Sequence, residues 1–116
     1  MTKAIFTGSF DPFTVGHASI VQRALPLFDS IVIAVGHNEH KKGMFSVEER
    51  VERIEKHYAN EPKIEVVAYS DLTVDVAKRV GANVIIKGVR SFKDFEYERQ
   101  QAEINKTIGG IETLFL

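Results

Sequence analysis

The sequence contains no cysteine, which excludes disulfide bonds, thiolate metal sites and cysteine nucleophiles. It also has little net charge, because 15 lysines and arginines stand against 16 aspartates and glutamates. No global basic field therefore draws the chain to nucleic acid or to an anionic membrane, and any anion site must be built locally. Neither a signal-peptide pattern nor an apolar run of the ~20 residues that span a bilayer is present, so we expect a cytoplasmic protein.

What is present is the composition of a folded protein. Of the 116 residues, 44% are hydrophobic and 27% are charged, a balance typical of globular chains. The length predicts one domain over residues 1–116. Five short apolar runs, most of them rich in β-branched residues, predict strands at residues 4–9, 30–36, 63–69, 83–88 and 111–116.

Helical periodicity separates these runs. The first predicted helix carries apolar residues from Ala18 to Phe28, and Pro26 should stop or kink it near its end. Further helices are predicted from residue 46, over residues 71–80 with Gly81 as a left-handed closing residue, and from a cap at Ser91 to about residue 106. The alternation predicts an α/β fold, namely a Rossmann-like doubly wound five-stranded parallel sheet with helices on both faces.

Three loops with unusual residues follow the first, second and fourth predicted strands. Ligands bind beyond the carboxyl ends of such strands, where the strand order reverses. In the first loop, Gly8 is expected to allow a tight turn and the approach of a ligand. Thr14 is a plausible cap for a helix whose first turn holds Gly16 and His17, and a helix N-terminus favours anions. Neither the dinucleotide fingerprint nor a P-loop is present.

Taken singly, these residues have ordinary explanations. His17 could be a satisfied polar group, Lys41 and its neighbour a solvated loop pair, and Lys87 and Arg90 surface charges. Their clustering at one sheet edge, in a chain of net charge −1, favours a site for a polyanion. We find no evident nucleophile–base pair and no metal-ligand set. That suits phosphoryl or nucleotidyl transfer, which needs positioning and charge neutralisation more than proton removal.

The segment TGSFDPFTVGH resembles the signature of the HIGH-type nucleotidyltransferase superfamily. The segments HKKGMFSVEERVERI, KGVRSFKDFEYE and IETLFL are similar to those of bacterial phosphopantetheine adenylyltransferases, and the resemblance extends over essentially the whole chain. It implies transfer of AMP from ATP to 4′-phosphopantetheine in coenzyme A biosynthesis, giving dephospho-coenzyme A and pyrophosphate. It further implies in-line attack by the pantetheine phosphate, with Mg²⁺ arriving with ATP, and no covalent enzyme intermediate.

The resemblance also assigns roles to residues by position. His17 would be the catalytic residue, stabilising charge on the α-phosphate. Tyr97 and Asn105 are weaker candidates for a helix facing the pocket. A homohexamer, and binding of coenzyme A at the same pocket, are implied as well. The expected ATP contacts are Ser9, Phe10, His17, Gly88, Val89, Arg90 and Glu98, and the expected acceptor contacts are Ser9, Lys41, Thr73 and Lys87.

The chain departs from the family pattern at three places. Thr7 stands where proline is common, and Lys87 where arginine is common, which keeps the charge but loses a bidentate fork. The chain also stops within an apolar strand, without the ISS[ST]-type motif that grips the ATP phosphates, so we expect a C-terminal segment to be missing. Two alternatives remain open: a truncated module that binds ATP or coenzyme A without turnover, and a nucleotidyltransferase for another phosphorylated acceptor, such as a sugar or polyol phosphate or nicotinate mononucleotide.

Overall fold

The computed structural model describes residues 2–37, 45–88 and 92–116, with residues 92–95 described by their backbone only. The strands and helices alternate along the chain, as the periodicity predicts. The strands are β1 (Lys3–Gly8), β2 (Ser30–Gly36), β3 (Ile64–Tyr69), β4 (Val84–Lys87) and β5 (Glu112–Phe115). The helices are α1 (Val15–Ala24), a 3₁₀ helix (Leu25–Leu27), α2 (Val47–His57), α3 (Thr73–Val80) and α4 (Phe92–Gly109).

The strands form one parallel sheet in the order β3-β2-β1-β4-β5. In the central register, Ile5 pairs with Val32 of β2 on one side and with Ile85 of β4 on the other. The chain builds outward from β1 to β3 and then returns to place β4 against the opposite side of β1. The doubly wound fold is thereby confirmed, and its strand order reverses between β1 and β4.

Helices cover both faces of the sheet, which explains why the inner strands read as continuous apolar runs. On one face, α1 and α2 pack through Val21 and Ile54 against strand residues that include Ile33. On the other face, α3 packs through Val76 against strand residues that include Ile5. These five side chains are at most 1% exposed, and each contributes about 1.5–3 kcal/mol relative to an exposed position.

The helix ends follow the local sequence signals with some corrections. Helix α1 ends at Ala24, and Pro26 lies in the following 3₁₀ turn, so the expected break is confirmed. Phe28, which we predicted within the helix, has extended backbone instead. Gly81 closes α3 with φ of 76°, as expected. Helix α4 continues to Gly109, beyond the predicted end near residue 106, and the left-handed residue behind it is Gly110 with φ of 66°.

The cap predicted at Ser91 lies outside the described residues. Helix α3 begins at Thr73, two residues later than predicted, and Asp71 ahead of it forms an ion pair with Arg79 over 2.7 Å. In the part of the chain that the structure describes, no helix has both the length and the apolar character needed to cross a membrane.

Candidate active site

A cavity of about 720 Å³ opens where the strand order reverses, beyond the carboxyl ends of β1 and β4. Residues 6–12, at the end of β1 and in the loop after it, line one part of the cavity. The first turns of α1 line a second part, and Lys87, Gly88 and Glu98 line a third. The cavity thus brings together the first and third of the loops that the sequence predicts to meet at one sheet edge.

The first turn of α1 holds His17 through a reciprocal cap with Thr14. The Thr14 hydroxyl accepts a hydrogen bond from the His17 backbone N–H over 3.4 Å, and the Thr14 backbone N–H donates to His17 Nδ1 over 2.9 Å. The expected cap at Thr14 is therefore confirmed. A ring nitrogen that accepts a hydrogen bond carries a lone pair, so in this geometry the proton of the neutral imidazole is on Nε2. His17 is thereby set up to act as a hydrogen-bond donor through Nε2.

Aromatic side chains pack around the half-buried His17 ring and restrict its orientation. The Phe10 ring meets it edge-on, with centroids 5.0 Å apart, and the Phe13 ring lies 5.3 Å away. The Phe6 ring lies 6.2 Å away, on the β1 side. The backbone hydrogen bond and these rings together hold the imidazole at the margin of the cavity.

The loop after β1 depends on an unusual backbone conformation at Phe10. Its φ is 49°, in the left-handed region that costs a residue with a side chain about 1–3 kcal/mol. Burial of its ring, which is 3% exposed, offsets a cost of that size. The sequence led us to expect the tight turn at Gly8, but Gly8 ends β1. A Cβ at Gly8 would lie 3.1 Å from two Phe10 ring carbons, so the glycine makes room for that ring.

Lys87 and Glu98 form an ion pair within the cavity, with Nζ and Oε2 3.7 Å apart. Their side chains are 24% and 21% exposed, so Lys87 is not the fully solvated surface charge of its ordinary explanation. Gly88 follows directly, and a Cβ there would lie 2.2 Å from Ile20 Cδ1. The end of β4 therefore runs close against α1, the helix that carries His17 in its first turn.

The hydroxyls of Thr7, Tyr69 and Thr73 lie close together, and of these residues Thr7 lines the cavity. Burial raises the pKa of the Tyr69 phenol, while the hydroxyls of Thr73 and Thr7 oppose that rise. The phenol therefore stays protonated near neutral pH. Thr7 lines the cavity and is 4% exposed, and its Oγ1 makes no hydrogen bond of good geometry within the described residues. Thr73, at the start of α3, belongs to this group of hydroxyls and is not among the residues that line the cavity.

Of the other predicted site residues, some line the cavity, some lie away from it, and some lie outside the described residues. Ser9 and Phe10 line the cavity, but because the Phe10 ring is buried, an ATP contact there would fall to the backbone. Tyr97 is 61% exposed and Asn105 half-buried, both away from the cavity. The predicted residues Lys41, Val89 and Arg90 lie outside the described residues, so their roles stay predictions.

The sequence reasoning missed Arg50, a residue of α2 that is 8% exposed. Its Nη1 donates to the carbonyl oxygens of Ser9 over 2.6 Å and Gly36 over 3.0 Å. Its Nε donates to the carbonyl oxygen of Ser46 over 3.3 Å. The signal was present, since Arg50 follows Val47 by three residues on the apolar stripe of α2, where a charged residue needs a specific partner.

The family model described as cytidylyltransferase-like matches residues 5–114 of the chain. Solved structures share the fold at low identity. A bifunctional NMN adenylyltransferase/ADP ribose pyrophosphatase from Francisella tularensis has a TM-score of 0.73 at 18% identity, over 99% of this chain and 37% of that one. A lipopolysaccharide core biosynthesis protein from Thermoplasma volcanium has a TM-score of 0.69 at 22% identity, over 99% and 93%. The chain is thus a nucleotidyltransferase of the cytidylyltransferase-like class.

Curated relatives make the assignment narrower. The phosphopantetheine adenylyltransferase of Bacteroides fragilis is 52% identical over 116 residues, which cover all of this chain and 77% of that protein. The phosphopantetheine adenylyltransferase of Flavobacterium johnsoniae is also 52% identical, over all of this chain and 76% of that protein. The chain belongs to the phosphopantetheine adenylyltransferase family.

Proposed function

We propose that the cavity transfers AMP from ATP to 4′-phosphopantetheine, producing dephospho-coenzyme A and pyrophosphate in coenzyme A biosynthesis. The observation that carries the proposal is the orientation of His17, whose Nδ1 is occupied by the Thr14 backbone N–H at the edge of the cavity. A donor fixed in this way, at the first turn of a helix, suits a phosphate on which negative charge develops.

In the proposed reaction an oxygen of the pantetheine phosphate attacks the α-phosphorus of ATP. The new P–O bond forms as the bond from the α-phosphorus to the bridging oxygen breaks, and pyrophosphate leaves with that electron pair. The attacking phosphate is already anionic, so no base has to remove a proton. The Nε2–H of His17 stabilises the charge that builds on the α-phosphate, and loss of one such donor typically costs about 10²–10³ in rate.

Lys87 is proposed to neutralise the acceptor phosphate. In the structure its ammonium pairs with Glu98, so acceptor binding would exchange a carboxylate partner for a phosphate. We keep the further ATP contacts at Ser9, Phe10, Gly88, Val89, Arg90 and Glu98, and the further acceptor contacts at Ser9, Lys41 and Thr73, as part of the proposal. Thr73 would reach the acceptor from the group of hydroxyls that it forms with Thr7 and Tyr69.

Mg²⁺ is proposed to enter with ATP and to neutralise the triphosphate. Within the described residues no cluster of three histidine, aspartate or glutamate side chains could hold a metal ion. The carboxylates of Asp11 and Glu98 line the cavity, but Asp11 accepts a hydrogen bond from the Phe45 N–H and Glu98 pairs with Lys87. The donor set therefore fits a cation that takes its ligands mainly from phosphate oxygens and water.

The test is pyrophosphate release from Mg²⁺–ATP with a panel of phosphorylated acceptors. The panel includes 4′-phosphopantetheine, nicotinate mononucleotide, a sugar phosphate and a polyol phosphate. We expect release with 4′-phosphopantetheine alone, and dephospho-coenzyme A as the second product. Release with a different acceptor would contradict the proposed substrate, and binding of ATP without release would indicate a binding module.

We also propose that the protein acts in the cytoplasm, where ATP is supplied, and that it forms a homohexamer. The support for assembly is family membership together with apolar side chains on α4 at helical spacing. Tyr97, Ile104 and Ile108 are 61%, 46% and 62% exposed. Light scattering should give a particle of six times the chain mass, whereas a monomer mass would contradict the proposal.

A further inference from the structure

We propose that Arg50 is a positioning residue for this site, an inference that rests on the proposed function. One guanidinium group joins three segments that are distant in sequence. It binds the loop after β1 through the Ser9 carbonyl, the end of β2 through the Gly36 carbonyl, and the start of α2 through the Ser46 carbonyl. The group therefore fixes two strand ends and one helix start relative to each other at the edge of the sheet that carries the cavity.

The bond to Ser9 acts directly on the unusual backbone of the loop. The Ser9 carbonyl belongs to the peptide group that precedes Phe10, and the orientation of that peptide group is set together with the φ of Phe10, which is 49°. Arg50 Nη1 holds this carbonyl over 2.6 Å. A charged donor at that distance is a strong hydrogen bond, and it favours the one peptide orientation that the loop requires.

A short chain of contacts leads from this peptide to the catalytic residue. The conformation of Phe10 directs its ring under the cavity, against the space left by Gly8. The same ring meets the His17 imidazole edge-on, with centroids 5.0 Å apart. Release of the Ser9 carbonyl would let Phe10 leave the left-handed region, and the His17 ring would lose the surface that fixes its orientation. The Ser9 hydroxyl, an expected contact of both substrates, would shift as well.

Arg50 is not among the residues that line the cavity, so it acts through Ser9 and Phe10 rather than by touching substrate. Among the described residues, no carboxylate forms an ion pair with it. Its charge is compensated by the three backbone carbonyls, and binding all three at once requires the several donors of a planar guanidinium. Lysine keeps the charge but lacks that fork, so the Arg50→Lys variant separates the geometry of the group from its charge.

The experiment compares Arg50→Met and Arg50→Lys with Lys63→Met as the matched control. Lys63 is half-buried, where Arg50 is buried, and like Arg50 it donates to a backbone carbonyl, that of Leu25 over 2.5 Å. It lies at the opposite edge of the sheet, ahead of β3, and both methionine variants lose a carbonyl-bound cation. All variants are compared under conditions where unfolding curves show them folded. The readouts are the ¹⁵N shifts of the His17 imidazole, which report its tautomer, and the steady-state constants of the proposed reaction.

We expect Arg50→Met to disturb the Nε2–H pattern of His17 and to lower kcat about 100-fold, since small misplacements of reacting groups cost that much. The KM for ATP should change less than kcat, Arg50→Lys should fall between Arg50→Met and the unchanged protein, and Lys63→Met should match the unchanged protein in both readouts. An unperturbed His17 signal in Arg50→Met, or equal effects of Arg50→Met and Lys63→Met, would overturn the proposal. So would full activity in Arg50→Lys.

The two readouts keep this inference separate from the proposed function. If the unchanged protein shows no turnover, yet Arg50→Met alone disturbs the His17 tautomer, the positioning role stands and the proposed reaction fails. If the protein turns over 4′-phosphopantetheine and Arg50→Met does so at a rate within twofold, the proposed reaction stands and the positioning role fails.

Discussion

Gly8 and Phe10 show at the scale of single residues how the site is built from a packing constraint. We predict that Gly8→Ala lowers the free energy of unfolding by about 1–2 kcal/mol, because the added Cβ lies 3.1 Å from the Phe10 ring and overpacks the core. Turnover should fall as well, since His17 packs on that ring. Urea unfolding and the pyrophosphate assay measure the two effects.

Gly16→Ala is the matched control for that substitution. A Cβ at Gly16 would meet Thr14 Oγ1 at 3.5 Å, an ordinary contact, and alanine favours a helix over glycine by about 1 kcal/mol. Its stability should therefore be unchanged or raised. Equal losses of stability in Gly8→Ala and Gly16→Ala would contradict the role given to the Phe10 ring.

The Lys87–Glu98 pair makes a second prediction at this scale. Lys87→Ala should weaken binding of 4′-phosphopantetheine about tenfold or more, because a charge-assisted contact to phosphate is lost and Glu98 is left to repel the ligand. The double variant Lys87→Ala/Glu98→Ala should recover part of the loss. Calorimetric titration of each substrate measures this, with Lys106→Ala as control, since Lys106 pairs with Glu112 outside the cavity. Equal losses for ATP and acceptor would count against the assignment.

At the scale of elements, the contact between α3 and α4 depends on Gly109. A Cβ there would lie 2.7 Å from Val74 Cγ1 and 2.8 Å from Val74 Cβ. Valine is branched at that carbon and cannot move its bulk aside, so Gly109→Ala should destabilise the fold by about 1–3 kcal/mol. Thr107→Ala, on the exposed side of the same helix, should change stability by less than about 0.5 kcal/mol. Thermal unfolding of both variants measures these changes in stability. A Gly109→Ala variant as stable as the unchanged protein would contradict the close contact between Gly109 and Val74.

The starts of β1 and β2 are joined by Asp29, and this contact predicts a pH dependence. The Thr2 backbone N–H donates to Asp29 Oδ2 over 2.7 Å and holds the pKa of the carboxyl below its usual value near 4. The contact therefore stabilises the fold above that pH, and its contribution is lost as the pH falls through the lowered pKa. At pH 7, Asp29→Asn should unfold at a lower urea concentration than the unchanged protein. In acid, the difference between the two urea midpoints should disappear.

Glu55→Gln serves as the control, because it also replaces a carboxylate by an amide, at an exposed position on α2 away from the starts of β1 and β2. Urea midpoints at pH 7 and in acid are compared for both variants. A difference between Asp29→Asn and the unchanged protein that stays constant over this range would contradict the contribution of the Asp29 carboxylate.

The elements were predictable because their signals are local. Continuous apolar runs indicated buried parallel strands, and Pro26 and Gly81 marked helix ends where the structure has them. The Phe10 conformation was not predictable, because the cost of a left-handed phenylalanine is offset only by a core that forms from distant segments. The same holds for Arg50, whose partners at Ser9 and Gly36 come close only after β1 and β2 pair. The capped His17 was predictable, since Thr14 is three residues away.

At the scale of the whole molecule, strand order explains how a chain of net charge −1 builds a site for a polyanion. The return of the chain after β3 places the end of β4 beside the end of β1. Arg23 of α1 and Lys87 of β4, which are 64 positions apart by number, therefore line one cavity together with His17. Two cationic side chains and the capped His17 thus meet where phosphates would bind, beside the carboxylates of Asp11 and Glu98.

The central claim is that His17 serves the chemical step rather than the fold, and the His17→Ala variant tests it most directly. Turnover of ATP with 4′-phosphopantetheine is measured beside ATP affinity and thermal unfolding. The account predicts a fall in kcat of at least about 10²-fold, with the protein still folded and ATP affinity within a few-fold of the unchanged protein. A folded His17→Ala protein that keeps a near-native rate would contradict it.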